Sequence, residues 1–176
     1  MIIWIDGTYG IGKSTVAQEI KEKISDTEIE ILDSDYYYQE MIKENGFLAL
    51  GGTLPQNNQN FIKRFKKVLV EKIEHQDKKL IIIVMSVTQP ECKEQIFDVL
   101  SAENSELLHI ILTAKKETIE ARIQLDENRD KGFSLQWLEF NQNFLEKNFD
   151  NALRISTENK SSNDIADEII QCIKIM

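Results

Sequence analysis

One stretch near the start limits what this chain can fold into. Ile2, Ile3, Trp4 and Ile5 form an apolar run, and after Asp6 comes Gly7-Thr8-Tyr9-Gly10-Ile11-Gly12-Lys13-Ser14. From Lys13 onward Val16, Ile20 and Ile24 recur every four residues. A short apolar run predicts a buried strand, and the recurrence predicts a helix. The eight residues between them fit GxxxxGK[ST] without mismatch, in the strand–loop–helix setting that gives the pattern its meaning. A loop that wraps a polyphosphate must aim several backbone N–H groups inward. Glycine permits the necessary angles and close approach, and the following helix adds unsatisfied N–H groups and the positive end of its dipole. Lys13 would meet the β- and γ-phosphates and Ser14 would offer a hydroxyl to Mg²⁺. The binding set read from this stretch is therefore Gly7, Thr8, Tyr9, Gly10, Ile11, Gly12, Lys13, Ser14 and Thr15. Thr15 is either a second phosphate contact or a helix residue only. Tyr9 either shields the phosphates or covers the sheet edge. Asp6 orients the loop through hydrogen bonds.

The rest of the chain continues the alternation. Strands are expected over residues 28–32, 80–85, 107–112 and 152–156. Helices are expected over 35–44, 57–75, 90–102, 115–125, 134–148 and 162–173. Pro90 suits a first helical turn, and Ser134 reads as an N-cap. Residues 46–60 have loop chemistry, and 126–133, charged and with Gly132, read as a mobile loop. Strand–helix alternation predicts an α/β fold with a mainly parallel sheet covered on both faces. Its 176 residues suit one domain.

Composition excludes several functions. The net charge of −9 argues against a nucleic-acid partner. No apolar run approaches the ~20 residues of a membrane span, and the start lacks the form of a secretory signal. Cys92 and Cys172 match no metal spacing and read as reduced thiols of a cytoplasmic protein. His75 and His109 are the only histidines, too few for a zinc site or a Ser-His-Asp triad. His109, within LLHIIL, reads as a strand residue.

Past the second expected strand comes Asp33-Ser34-Asp35. Residues two apart on extended chain face one side, so both carboxylates would point into the crevice at the carboxyl edge of the sheet. The alternative is a turn in which Asp35 or Ser34 caps the next helix. Tyr36, Tyr37 and Tyr38 are candidates to line an acceptor pocket. The apolar strand LIIIVMSVTQP has no Asp or Glu before Glu91, where many phosphate-loop enzymes place a carboxylate near Mg²⁺. Ser86 and Thr88 would hold water on the metal instead. No NKxD motif stands in the chain, so ATP is the expected nucleotide. Arg122 and Arg129 stand seven residues apart, nearly one face of a helix, and arginines closing from a lid stabilise phosphoryl transfer. Arg122 also has a plain reading as an i,i+4 pair with Asp126. Lys63 to Lys67 reads as a solvated face, with Arg64 on an anionic acceptor as the sharper alternative.

The opening MIIWIDGTYGIGKST, the DSD, the strand end VMSVTQPE and the run ILTAKKETIEARI resemble the ATP-binding tunicamycin-resistance protein family. That family lies near shikimate, adenylate and other small-molecule kinases. The resemblance spans most of the chain, and its most specific residues are Gly7, Gly12, Lys13 and Ser14. It implies a three-layer αβα P-loop fold, adenylate-kinase-like, with five parallel strands in order 2-3-1-4-5. It also implies a lid near 126–134 and an acceptor region within 35–75. Asp33 and Asp35 are similar to the DxD of shikimate-type kinases, which implies that Asp33 holds a Mg²⁺-bound water and Asp35 meets the acceptor hydroxyl. The implied catalytic set is Lys13, Asp33, Asp35, Arg122 and Arg129, with Lys131 as a further lid member and Ser14 and Asp33 toward the metal. Two functions follow from these readings. One is ATP-dependent phosphorylation of a small-molecule hydroxyl. The other is an ATP-binding resistance protein that sequesters a drug-like ligand without phosphorylating it.

Overall fold

Every residue of strand β1, Ile2–Asp6, is buried. A strand reaches that state only with neighbours on both edges and layers on both faces. β1 pairs in parallel with β3, Leu80–Val84, on one side and with β4, Leu107–Thr113, on the other. β2, Ile29–Asp33, lies outside β3, and β5, Leu153–Ser156, outside β4. The sheet order is β2-β3-β1-β4-β5, the order that the family resemblance implies. This structure is a computed structural model, and it describes residues 1–24, 29–46, 54–75, 80–127 and 130–175.

Alternation along β1 divides the core into two layers. Ile2 and Trp4 face one layer, where α2 (Ser34–Asn45) supplies Met41 and α3 (Gln59–Glu74) supplies Phe61, Phe65 and Leu69. Helix α4, Pro90–Cys92, passes through a wider π turn over Lys93–Phe97 into α5, Asp98–Glu103, and covers the same face. The Trp4 indole meets the Phe97 ring edge-on at 5.2 Å, and its N–H donates to the Met85 carbonyl at 3.2 Å. A buried tryptophan thus keeps its polar end satisfied. Ile3 and Ile5 face the second layer, packed by α1 (Lys13–Lys23), α6 (Lys116–Leu125) and α9 (Ser162–Ile175).

Several element boundaries differ from expectation, each for a local reason. α3 begins two residues late, because the Asn58 side chain accepts from the N–H groups of Asn60 and Phe61 and so caps it. Ser134 is not an N-cap. Asp130 caps α7 (Lys131–Gln136), accepting from Phe133 N at 2.9 Å. Ser134 lies one turn inside, its N–H donating to the Asp130 carbonyl. The chain bends at Trp137, and α8 follows over Leu138–Asn148. The stretch expected as a mobile loop therefore ends in a capped helix, while residues 128 and 129 lie outside the described residues. No helix among the described residues is long and apolar enough to cross a membrane.

Candidate active site

The β1–α1 loop leaves the carboxyl edge of the central strand. Gly7 has φ +142°, and a Cβ there would stand 2.9 Å from Ile11 Cγ2 and 3.0 Å from the Leu112 carbonyl oxygen. Gly10, at φ +75°, presses as tightly on Ile123 of α6. Both glycines are thus required by backbone angle and by space. The Lys13 ammonium donates to the carbonyls of Gly7 and Thr8, 3.0 Å each, which curls its side chain over the loop. Ser86, just beyond β3, donates its hydroxyl to the Gly7 carbonyl at 2.8 Å.

Asp6 underlies the loop and is fully buried. Its Oδ1 accepts from Gly7 N at 2.6 Å and from Val87 N at 3.0 Å, while Oδ2 meets His109 Nε2 at 3.2 Å. One carboxylate therefore joins β1, the exit of β3, and β4. That accords with the orienting part read for Asp6. His109 is a strand residue as expected, and its contact with Asp6 went unforeseen because only the parallel register aligns His109 with Trp4.

Asp33 ends β2 and caps α2, accepting from Asp35 N at 2.9 Å through Oδ1. The cap is neither Ser34 nor Asp35. The second oxygen, Oδ2, accepts from the Ser14 hydroxyl at 2.7 Å. Ser14 and Asp33, expected together at a metal, thus stand in direct contact. They and Asp35 line one cleft with Lys13, Thr15 and Gln56. Among the described residues no group of three or more His, Cys, Asp or Glu side chains could hold a metal by itself. A hydroxyl and one carboxylate fit Mg²⁺, which takes few protein ligands and completes its shell with phosphate and water.

The plain reading of Arg122 and the sharper alternative for Arg64 require correction. Arg122 makes no i,i+4 pair with Asp126. It reaches the turn after β5, with Nη1 on Thr157 Oγ1 at 2.8 Å and Nη2 on the Thr157 carbonyl at 2.9 Å. There it borders a second, shallow cleft with Gly10, Gly12, Thr15 and Ser162. Arg129 lies outside the described residues. Arg64 forks onto Glu44, tying α3 to α2, and so does not reach the cleft. None of the three tyrosines lines the cleft either. Tyr37 packs on Phe65 and Tyr38 on Phe61, because α3 presents its aromatic stripe to α2. Tyr9 packs on Phe133 of α7 at 5.5 Å, linking the loop to a helix that overlaps the expected lid. Thr88 is held by Gln56 and not turned to the metal side: Gln56 Oε1 accepts from Thr88 N at 2.7 Å and from its hydroxyl at 3.2 Å. Gln56 gave no signal in sequence, being one polar residue in a stretch rich in Asn and Gln.

With this geometry in hand, comparison with known proteins is direct. A family model described as an AAA domain matches residues 3–171. The chain belongs to that family. Its fold is that of the P-loop kinase-like proteins. The tunicamycin resistance protein of Deinococcus radiodurans superposes with a TM-score of 0.72 at 19% identity, over 98% of this chain and 94% of that one. A sugar kinase from Janibacter sp. gives 0.69 at 16% identity, covering 99% and 94%. Shikimate kinase from Acinetobacter baumannii, in complex with shikimate, gives 0.59 at 22% identity, covering 98% and 92%. No curated protein matches the chain by sequence.

Proposed function

We propose that this AAA-domain protein is a phosphotransferase that binds Mg²⁺-ATP on Gly7–Thr15 and phosphorylates a hydroxyl of a small molecule. The observation that carries the reading is the contact between Ser14 Oγ and Asp33 Oδ2, with Asp35 beside it in the same cleft. The loop amides and the N-terminus of α1 bind phosphate oxygens. Lys13, on the Gly7 and Thr8 carbonyls, would supply its charge to the β- and γ-phosphates. Ser14 and Asp33 would hold the ion. Bound Mg²⁺-ATP supplies the phosphoryl group and the divalent charge that balances it. Asp35 accepts the proton of the attacking hydroxyl. Arg122, fixed by Thr157, places positive charge at the flank of the loop, where the nucleoside end of ATP would lie.

A second reading is that the chain holds ATP and a drug-like ligand without transfer. The observation favouring it is the exit of β3, Met85-Ser86-Val87-Thr88, which brings no carboxylate to the metal side. One experiment separates the two. The protein is incubated with Mg²⁺-ATP and hydroxyl acceptors (nucleosides, sugars, shikimate-like acids, tunicamycin), and products are weighed by mass spectrometry. A product one phosphoryl group heavier, lost with Lys13→Ala, supports the kinase. Mg²⁺-dependent acceptor binding with no mass gain overturns it in favour of sequestration.

A further inference from the structure

A further cavity lies at the edge of the sheet opposite the phosphate loop. It offers about 590 Å³ between α5, the amino ends of β4 and β5, and the turn that joins α8 to β5. We infer that it is a binding site for a small organic ammonium compound. The inference does not depend on the kinase reading.

The floor of the cavity argues first. His109 lines it, with a side chain only 9% exposed. Its Nε2 meets Asp6 Oδ2 at 3.2 Å. A carboxylate oxygen only accepts, so Nε2 carries the proton, and the neutral ring keeps Nδ1 as an acceptor. Among the described residues no group donates to Nδ1. The imidazole therefore has a lone pair to offer an occupant that brings an N–H.

The walls argue second. Lys93, Phe97 and Asp98 reach the cavity from the wider π turn and the residue after it, a local widening that recurs at functional sites. Lys93 Nζ pairs with both oxygens of Asp98, at 2.8 and 2.9 Å, and stands 5.5 Å from the centre of the Phe149 ring. The chain thus seats an ammonium of its own on a carboxylate and an aromatic face, the contacts by which an ammonium ligand is held. The turn after α8 adds more acceptors. Asp150 brings a second carboxylate. Asn148 Nδ2 donates to the Phe144 carbonyl at 2.8 Å, so its Oδ1 is the atom left to accept. α8 ends at Asn148, and the carboxyl end of a helix favours positive charge. All of these groups suit a cation rich in N–H donors, and an anion would meet Asp98 and Asp150.

The test uses the full chain with ¹⁵N-labelled histidine. His75 and His109 are the only histidines, and His75→Gln assigns the two imidazoles in long-range proton–nitrogen spectra. Butane-1,4-diamine and n-butylamine are titrated at fixed pH and ionic strength, with 1-butanol and butyrate as probes of the same carbon length. Both amines should shift His109 Nδ1 to saturation, and the alcohol and the carboxylate should leave it in place at the same concentrations. Asp150→Asn should weaken amine binding by about three- to fivefold, the size of an exposed ion pair. Lys93→Met should strengthen it by a similar factor, because it removes the ammonium that competes for Asp98 and Phe149. Amines that leave Nδ1 unmoved overturn the site. Amine binding equal in the parent protein and in both variants also overturns it, and assigns the amines to general attraction toward a chain of net charge −9. A shift produced as strongly by 1-butanol or butyrate as by the amines overturns the ammonium class.

Discussion

His109 Nε2 lies 3.2 Å from Asp6 Oδ2, so a strand that contributes nothing to the phosphate loop sequence braces the carboxylate beneath it. Asp6 has no access to water and receives Gly7 N and Val87 N on its other oxygen. Phe97 and Phe149 enclose the imidazole at 4.5 and 4.7 Å. Removing the imidazole leaves one buried carboxylate oxygen without its hydrogen-bond partner, at about 1–3 kcal/mol. His109→Leu should therefore lower unfolding free energy by about 1–3 kcal/mol in urea melts. Asp6→Asn, which keeps an oxygen for both N–H groups, should make the loss from His109→Leu smaller when the two are combined. Additive single effects would show that the two side chains do not interact.

That relationship also marks how far sequence reading reaches. The motif from Gly7 to Ser14 and the strand–helix alternation were legible because each is a local pattern of backbone need or apolar spacing. The Ser14–Asp33 pairing was partly legible, since both residues were expected at the metal, although their direct contact depends on β2 lying outside β3. Gln56, Thr157 and the Asp6–His109 pair were not assigned their partners, because those lie 32, 35 and 103 residues away. Arg122 was read by its helical neighbours, and it turned instead to a strand end that no helical spacing reveals.

Ser14→Ala and Asp33→Asn should each raise the Mg²⁺ needed for half-maximal binding of a fluorescent ATP analogue by about tenfold or more, the usual size for loss of an ion contact or its support. Binding without Mg²⁺ should stay near that of the parent protein, because the loop amides and Lys13 are untouched. Equal losses with and without Mg²⁺ would assign the pair to the fold alone.

Arg122→Lys keeps the charge and loses the fork onto Thr157, since an ammonium cannot serve both oxygens with the same planar geometry. ATP-analogue affinity should fall about tenfold, corresponding to about 1.4 kcal/mol. Thr157→Val, which removes Oγ1 and leaves the carbonyl, should cost less. Titrations of both variants check this, and an Arg122→Lys affinity equal to that of the parent would detach Arg122 from the nucleotide.

Cys92 is fully buried. Burial raises its thiol pKa well above the ordinary value, and the nearby Asp6 charge adds to the rise. The thiolate is the reactive form, so Cys92 should resist iodoacetamide in the folded protein and react only in denaturant. Cys172, a partly exposed free thiol, should react in the native state. Peptide mass mapping after timed alkylation distinguishes them, and early modification of Cys92 would mean that the layer around it opens.

Glu158 should make the turn after β5 sensitive to acid. Its carboxylate accepts from Lys115 N at 2.6 Å and from the Thr118 hydroxyl at 3.1 Å, capping α6 from the turn that follows β5. The Lys115 backbone N–H, and then the Thr118 hydroxyl, hold its pKa below the ordinary carboxylate value. A group depressed in the folded state binds more protons when unfolded. Its stabilising contribution is complete above the unfolded carboxylate pKa and is lost as pH falls through the lower folded one. Glu158→Gln should therefore lower the melting temperature at neutral pH. The gap from the parent protein should close as pH is taken below the carboxylate range. Because α6 carries Arg122, the same variant should weaken ATP-analogue binding at neutral pH. A melting gap that holds constant across the acid range would show that the carboxylate charge is not what caps the helix.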